Sequence, residues 1–133
     1  MPERTFLADD STLADALSFV EEQLEAHDAS MKTIMQITVC VEEMYVNVAH
    51  YAYGDNKGDV TMSVDFEGNV VTISLIDSGM PFDPLKKEDP DITLSAEERD
   101  IGGLGIFMVK KSMDDVSYEY KDGKNIFVMK KAI

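Results

Sequence analysis

The stretch VCVEEMYVNVAH, residues 39–50, decides how the chain is read. It has the apolar content of a buried helix, yet carries Glu42, Glu43 and Asn47 among valines, a methionine and a tyrosine. At about 100° per residue, Ile34, Ile37, Val41, Tyr45, Val48 and Ala52 fall on one stripe suited to packing on a sheet. Gln36, Glu43, Asn47 and His50 fall on the opposite side, with Glu43 and Asn47 one turn apart and pointing the same way. Val39, Cys40, Met44 and Val46 flank this polar stripe and keep it narrow. A polar stripe suits contact with water, whereas apolar flanks suit a covering surface. A carboxylate beside a carboxamide oxygen in a partly dry cleft fits a general base next to a ligand for a hard metal ion.

The rest of the chain arranges itself around that helix. Residues 4–8 read as a short first strand, and Asp10-Ser11-Thr12 supply N-cap chemistry for a helix to about residue 26. Asp28 and Ser30 cap the long second helix, expected to run to Tyr53 and to stop at Gly54-Asp55-Asn56. Residues 60–66 and 70–76 read as paired strands around Glu67-Gly68-Asn69. Residues 77–100 carry three prolines, many charges and no sustained period. Loops of that length in small domains are commonly functional or disordered. Gly102-Gly103-Leu104-Gly105 then opens a third helix, and residues 116–120 and 126–130 form a hairpin around Asp122-Gly123. This order predicts a single domain over 1–133 of α+β class. It would be a two-layer sandwich with three helices on one face of a mostly antiparallel, mixed sheet.

Composition narrows the function classes. The chain has 133 residues and one cysteine, Cys40, so no intrachain disulfide can form. No apolar run has the length to cross a bilayer, and the start of the chain lacks a signal-peptide core, so a cytoplasmic protein without membrane contact is expected. The net charge of −14 repels phosphate backbones, which argues against direct nucleic-acid binding and favours partners with basic surfaces.

Two further constellations carry chemistry. Asp77-Ser78-Gly79 ends an apolar strand: the carboxylate can accept from an exocyclic amine, and the glycine permits close approach of a planar ligand. The same tripeptide also makes an ordinary turn. The glycine-rich 102–105 segment exposes backbone N–H groups at a helix start, a setting for phosphate, or equally a hinge. It is neither a Walker A loop nor a GxGxxG fingerprint.

The order of these signals is more specific than any one of them. VEEMYVNVAHYAYG, then LIDSGMPFDP, then GGLGIFMVKKSMDDVSYEYKDGKN resembles the Bergerat-fold ATPases, which include gyrase, histidine kinases and mismatch-repair proteins. Within them the likeness is to the anti-sigma-factor serine kinases and related regulatory ATPases. The resemblance implies an ATP- and Mg²⁺-dependent serine/threonine kinase that phosphorylates a small antagonist protein and sequesters a sigma factor or similar regulator. It implies Glu43 as the general base and Asn47 as the Mg²⁺ ligand. Asp77 would recognise the adenine amine, with Gly79 giving the base room. Gly102, Gly103, Leu104 and Gly105 would line the phosphates, a lid would occupy about 78–101, and His50 and Arg99 would be phosphate-side cations. Homodimerisation is common in this branch, and the first helix or strand could serve it. Two positions depart from the family pattern: His50-Tyr51 stands where many relatives have a basic residue followed by His. Gly123-Lys124-Asn125 stands where Gly-Thr or Gly-Ser is frequent. These departures motivate an alternative, a nucleotide-sensing interaction module that switches partner binding without useful catalysis.

Overall fold

The computed structural model describes residues 2–53, 56–86 and 101–133, apart from the side chains of 86 and 101–104. Strand β1 (Glu3–Leu7) leads through a 3₁₀ turn (Asp10–Thr12) into α1 (Leu13–Ala26). Asp9 rather than Asp10 caps the turn, accepting from the Ser11 N–H at 2.8 Å. Ser30 caps α2 (Met31–Asn47) by accepting from the Thr33 N–H at 3.2 Å. Strands β2 (Asp59–Glu67) and β3 (Val70–Asp77), a 3₁₀ turn (Pro84–Lys86), α3 (Ile101–Ser112), β4 (Asp115–Lys121) and β5 (Lys124–Ala132) follow. Asp122 and Gly123 both have positive φ, 54° and 78°, the combination a two-residue type I′ hairpin turn requires.

The sheet order is β1-β2-β3-β5-β4, and every described pairing is antiparallel. The expected mixed sheet is therefore antiparallel throughout its described pairings. β3 and β5 are central, and their register sets Asp77 opposite Asn125 and Leu75 opposite Phe127. Inward residues Val60, Met62, Val64, Val71, Ile73, Leu75, Phe127 and Met129 are buried, and so are Phe19, Val20 and Leu24 of α1. Ile34, Ile37, Val41 and Tyr45 of α2 and Ile106 and Val109 of α3 complete this single core. The Tyr45 hydroxyl, 2.5 Å from Thr12 Oγ1 and 3.4 Å from the Leu7 carbonyl, fastens α2 to the start of the chain.

The second helix departs from expectation at its end. It is α-helical only to Asn47 and continues as a π turn over Val48–Ala52. Such turns carry one extra residue per hydrogen-bonded ring and concentrate at functional sites. The predicted stop at Gly54-Asp55 and most of the expected lid, residues 87–100, lie outside the described residues. Among the described residues no helix is long and apolar enough to cross a membrane.

Candidate functional site

The C-terminal end of α2 stands over the ends of β3 and β5, and a pocket opens between them. Its empty space, mouth included, is about 450 Å³. The helix contributes Met44, Asn47, Val48, Tyr51 and Ala52. The sheet contributes Leu75, Asp77, Tyr118, Asn125 and Phe127, and the segment after β3 contributes Met80, Phe82 and Pro84. The lining is mostly apolar, with few polar groups aimed inward.

Asp77 is one of them and is 6% exposed. Its Oδ1 accepts from the Gly79 N–H at 2.9 Å and from Asn125 Nδ2 at 2.9 Å. Oδ2 takes no hydrogen bond among the described residues, yet it is not sealed from solvent. A buried carboxylate held by one oxygen leaves the other as a directed acceptor.

Asn47 sits one turn from Glu43, as the spacing requires. Its Nδ2 donates to the Glu43 carbonyl at 2.8 Å and to Glu43 Oε1 at 3.2 Å. That fixes the carboxamide and leaves its Oδ1 without a partner among the described residues. Glu43 is half-buried beside the pocket rather than in its lining. Its carboxylate rests on α3: a Cβ on Gly105 would lie 2.0 Å from Glu43 Oε1. The apolar flank of the polar stripe is covered where it meets α3, with Cys40 and Met44 buried, while Val39 stays exposed. Burial pushes the Cys40 thiol pKa up, against a hydrogen bond from Ser112 that lowers it.

Gly102, Gly103, Leu104 and Gly105 form the opening turns of α3, at the helix start where they were expected. N–H groups of a first turn have no intrahelical acceptor, so 101–103 still present donors, whereas Gly105 serves as the seat for Glu43. At Gly79 the place of a side chain is taken by protein. A Cβ there would lie 2.1 Å from the Ala52 carbonyl oxygen, and the next residue donates to that oxygen, Met80 N–H to Ala52 at 2.8 Å. The space is filled by the π turn itself.

His50 is not in the lining. Its Nε2 lies 2.9 Å from both carboxylate oxygens of Asp10, out on the surface. A π turn advances each residue by less than the α-helical 100°, so Tyr51 comes onto the face of Glu43 and Asn47 and His50 stops short of it. Arg99 lies outside the described residues. Among those residues no cluster of His, Cys, Asp and Glu could hold a metal by itself.

Sequence reasoning did not place Tyr51, Tyr118 or Asn125 in the site. For Asn125 a signal existed. It alternates with Phe127 and Met129 in β5, so a polar side chain stood at an inward position.

A helix-borne Glu/Asn pair over a strand-end carboxylate, on three helices packed against one face of an antiparallel sheet, is the arrangement of the Bergerat-type fold. The chain belongs to the histidine kinase-like ATPase domain family, which it matches over residues 6–131. It is 25% identical over 128 residues to an anti-sigma F factor of Thermoanaerobacter sp. (strain X514), covering 96% of this chain and 90% of that one. It is 28% identical over 106 residues to the serine-protein kinase RsbW of Listeria monocytogenes, covering 76% of this chain and 68% of the relative. The crystal structure of the RsbU and RsbW domains of a Mycobacterium tuberculosis protein shares the fold. Its TM-score is 0.65 at 14% identity, over 99% of this chain and 32% of that one.

Proposed function

We propose that the chain is an ATP- and Mg²⁺-dependent serine/threonine protein kinase of the anti-sigma-factor type. It would phosphorylate a small antagonist protein and, when that antagonist is unavailable, sequester a sigma factor or similar regulator. The observation that carries this reading is the Asp77 carboxylate, with one oxygen holding two hydrogen bonds and the other without a partner among the described residues, in the lining of an apolar pocket that Asn47 also lines. The names of the relatives point the same way.

The residues fit both implied ligands. A planar base matches the apolar walls formed by Met44, Val48, Leu75 and Phe127, and its exocyclic amine matches Asp77 Oδ2. Asn47 Oδ1 is a hard oxygen donor, and with no carboxylate cluster among the described residues a Mg²⁺ ion would draw its other ligands from phosphate oxygens and water. When bound, that ion would neutralise charge on the phosphates. The N–H groups of the first turn of α3 would meet the phosphates from the other side.

The chain's own chemistry is then limited to orientation and one proton. The acceptor hydroxyl oxygen attacks the γ-phosphorus as the bond to the β-phosphate oxygen breaks, and ADP leaves. Glu43 takes the hydroxyl proton. The Asn47 hydrogen bond and the Gly105 seat hold Glu43 in place, which is the positioning that phosphoryl transfer depends on.

One observation favours the alternative, a nucleotide-sensing module that switches partner binding without useful catalysis. His50 is tied to Asp10, so among the described residues the end of α2 turns no cation toward the phosphate side.

Calorimetric titration of Mg-ATP into the wild type and Asp77→Asn tests the pocket. Binding should fall at least tenfold, since the amide offers either the wrong group or a weaker acceptor. Unchanged affinity would remove Asp77 from base recognition. Transfer of labelled phosphate to a serine-bearing antagonist protein separates the two readings. Glu43→Gln should abolish it while keeping nucleotide binding, and a wild type that binds Mg-ATP yet labels no partner would favour the sensor.

A further inference from the structure

Asn125 opens the functional end of β5 opposite Asp77 and is 6% exposed. Its carboxamide is engaged on both sides. Nδ2 donates to Asp77 Oδ1 and to the Met80 carbonyl, each at 2.9 Å, with the Gly79 carbonyl at 3.5 Å. Oδ1 accepts from the Phe82 N–H at 3.2 Å and from the Tyr118 hydroxyl. A backbone carbonyl can only accept and a backbone N–H can only donate. The two ends of the amide are therefore assigned by their partners, with the NH₂ on Asp77.

We propose that Asn125 is a positioning residue that sets base selectivity. By occupying Asp77 Oδ1 together with Gly79 N–H, it fixes the plane of the carboxylate and leaves Oδ2 as the acceptor offered to a ligand. The same amide clips the 79–82 segment to the sheet, so Met80 and Phe82 keep their places in the pocket wall. A 6-aminopurine presents a donor to that acceptor. In the same pose a 6-oxopurine sets the lone pairs of its 6-oxygen against that acceptor and is disfavoured, and its N1–H reaches Oδ2 only if the base shifts. This inference rests on the nucleotide reading above and deepens it.

The residue type matters at this position. Aspartate at 125 would lose both donated hydrogen bonds and set a second negative charge against Asp77. Alanine would free Oδ1, let the carboxylate rotate and admit water, through which an oxo base could also be bridged.

The test is titration of ADP and of IDP, which differ at the 6-position of the base, into the full chain and its variants. The wild type should prefer ADP. Asn125→Ala should lose about tenfold in ADP affinity and little in IDP affinity, so the selectivity ratio falls about tenfold. Tyr118→Phe, which removes one hydrogen bond from Asn125 Oδ1, should move the ratio the same way by less. If the alanine variant melts below the assay temperature, Asn125→Leu keeps the volume without the hydrogen bonds and should show the same collapse. A merely structural role would weaken ADP and IDP alike, and that parallel loss overturns the inference while leaving the nucleotide site intact. Unchanged ADP affinity overturns it equally, and a folded wild type that binds neither nucleotide overturns the underlying reading as well.

Discussion

The Glu43 carboxylate lies across the backbone of Gly105: a methyl group on that glycine would stand 2.0 Å from Oε1 and 2.2 Å from Cδ. The obstructing atoms are the far end of a flexible side chain, so Gly105→Ala displaces Glu43 rather than the helix. Within a helix alanine is preferred over glycine by about 0.5–1 kcal/mol. The variant should therefore melt at the same temperature as the wild type or higher, while phosphoryl transfer falls by about a hundredfold through misplacement of the base. Retained transfer in a folded Gly105→Ala would mean that this contact does not position Glu43.

Gly79→Ala should behave in the opposite way. Here a Cβ would lie 2.1 Å from the Ala52 carbonyl oxygen and 2.5 Å from its carbon, both backbone atoms of the π turn. They cannot swing aside. The chain after β3 must separate from the turn, with loss of the Met80-to-Ala52 hydrogen bond, at a cost of about 1–3 kcal/mol. Chemical denaturation should report that loss, and nucleotide affinity should fall with it because both walls of the pocket move. A wild-type denaturation midpoint would show that the two segments are not held together as described.

These contrasts mark how far the sequence could be read. Glu43 and Asn47 were legible because a four-residue spacing on an α-helix fixes their common direction whatever the tertiary fold. Asp77 was legible as a carboxylate at the end of an apolar run. His50 was misplaced because the helical wheel assumes 100° per residue, and the π turn that breaks this assumption is stabilised by tertiary partners, Gly79 and Met80. Asn125 was legible as a polar residue at an inward position of β5, but its place opposite Asp77 required knowing that β5 lies beside β3, which no local pattern encodes. Gly79 was singled out for close approach and Gly105 for its backbone N–H at a helix start, and the Cβ positions of both are taken by protein, the Ala52 carbonyl and the Glu43 carboxylate.

The rotation of the π turn predicts different consequences at two adjacent residues. His50 makes an exposed pair with Asp10, a type of contact worth roughly 0–1 kcal/mol, and it does not line the pocket. His50→Ala should change ADP affinity by less than about twofold, within what such a surface pair can transmit. Tyr51 lines the pocket, and Tyr51→Ala should weaken ADP about fivefold through lost aromatic contact. The reverse ranking in a calorimetric titration would restore His50 to the phosphate side and remove Tyr51 from the site.

Alkaline conditions should loosen the fold at Tyr45. Its ring is fully buried, and its hydroxyl ties α2 to Thr12 and Leu7. Burial pushes its pKa above the ordinary 10.0, the Thr12 hydrogen bond pulls it down, and the charges of Asp9 and Asp15 push it up again. A folded-state pKa raised above the unfolded value means that the unfolded chain releases this proton first as pH rises. The contribution is therefore complete below pH 10 and is lost as the pH climbs through the raised folded value. Tyr53 and Tyr118 shift the same way, mainly through burial, and add to the effect. Denaturation midpoints should hold steady up to about pH 10 and fall beyond it. Tyr45→Phe should cost about 1 kcal/mol at neutral pH for the lost hydrogen bond. Thr12 Oγ1 keeps the Leu7 and Asp9 carbonyls at 2.7 and 2.8 Å, so no buried group is orphaned. The same variant should lose less than the wild type as pH rises past 10, and parallel pH profiles for the two would show that Tyr45 ionisation does not drive the alkaline transition.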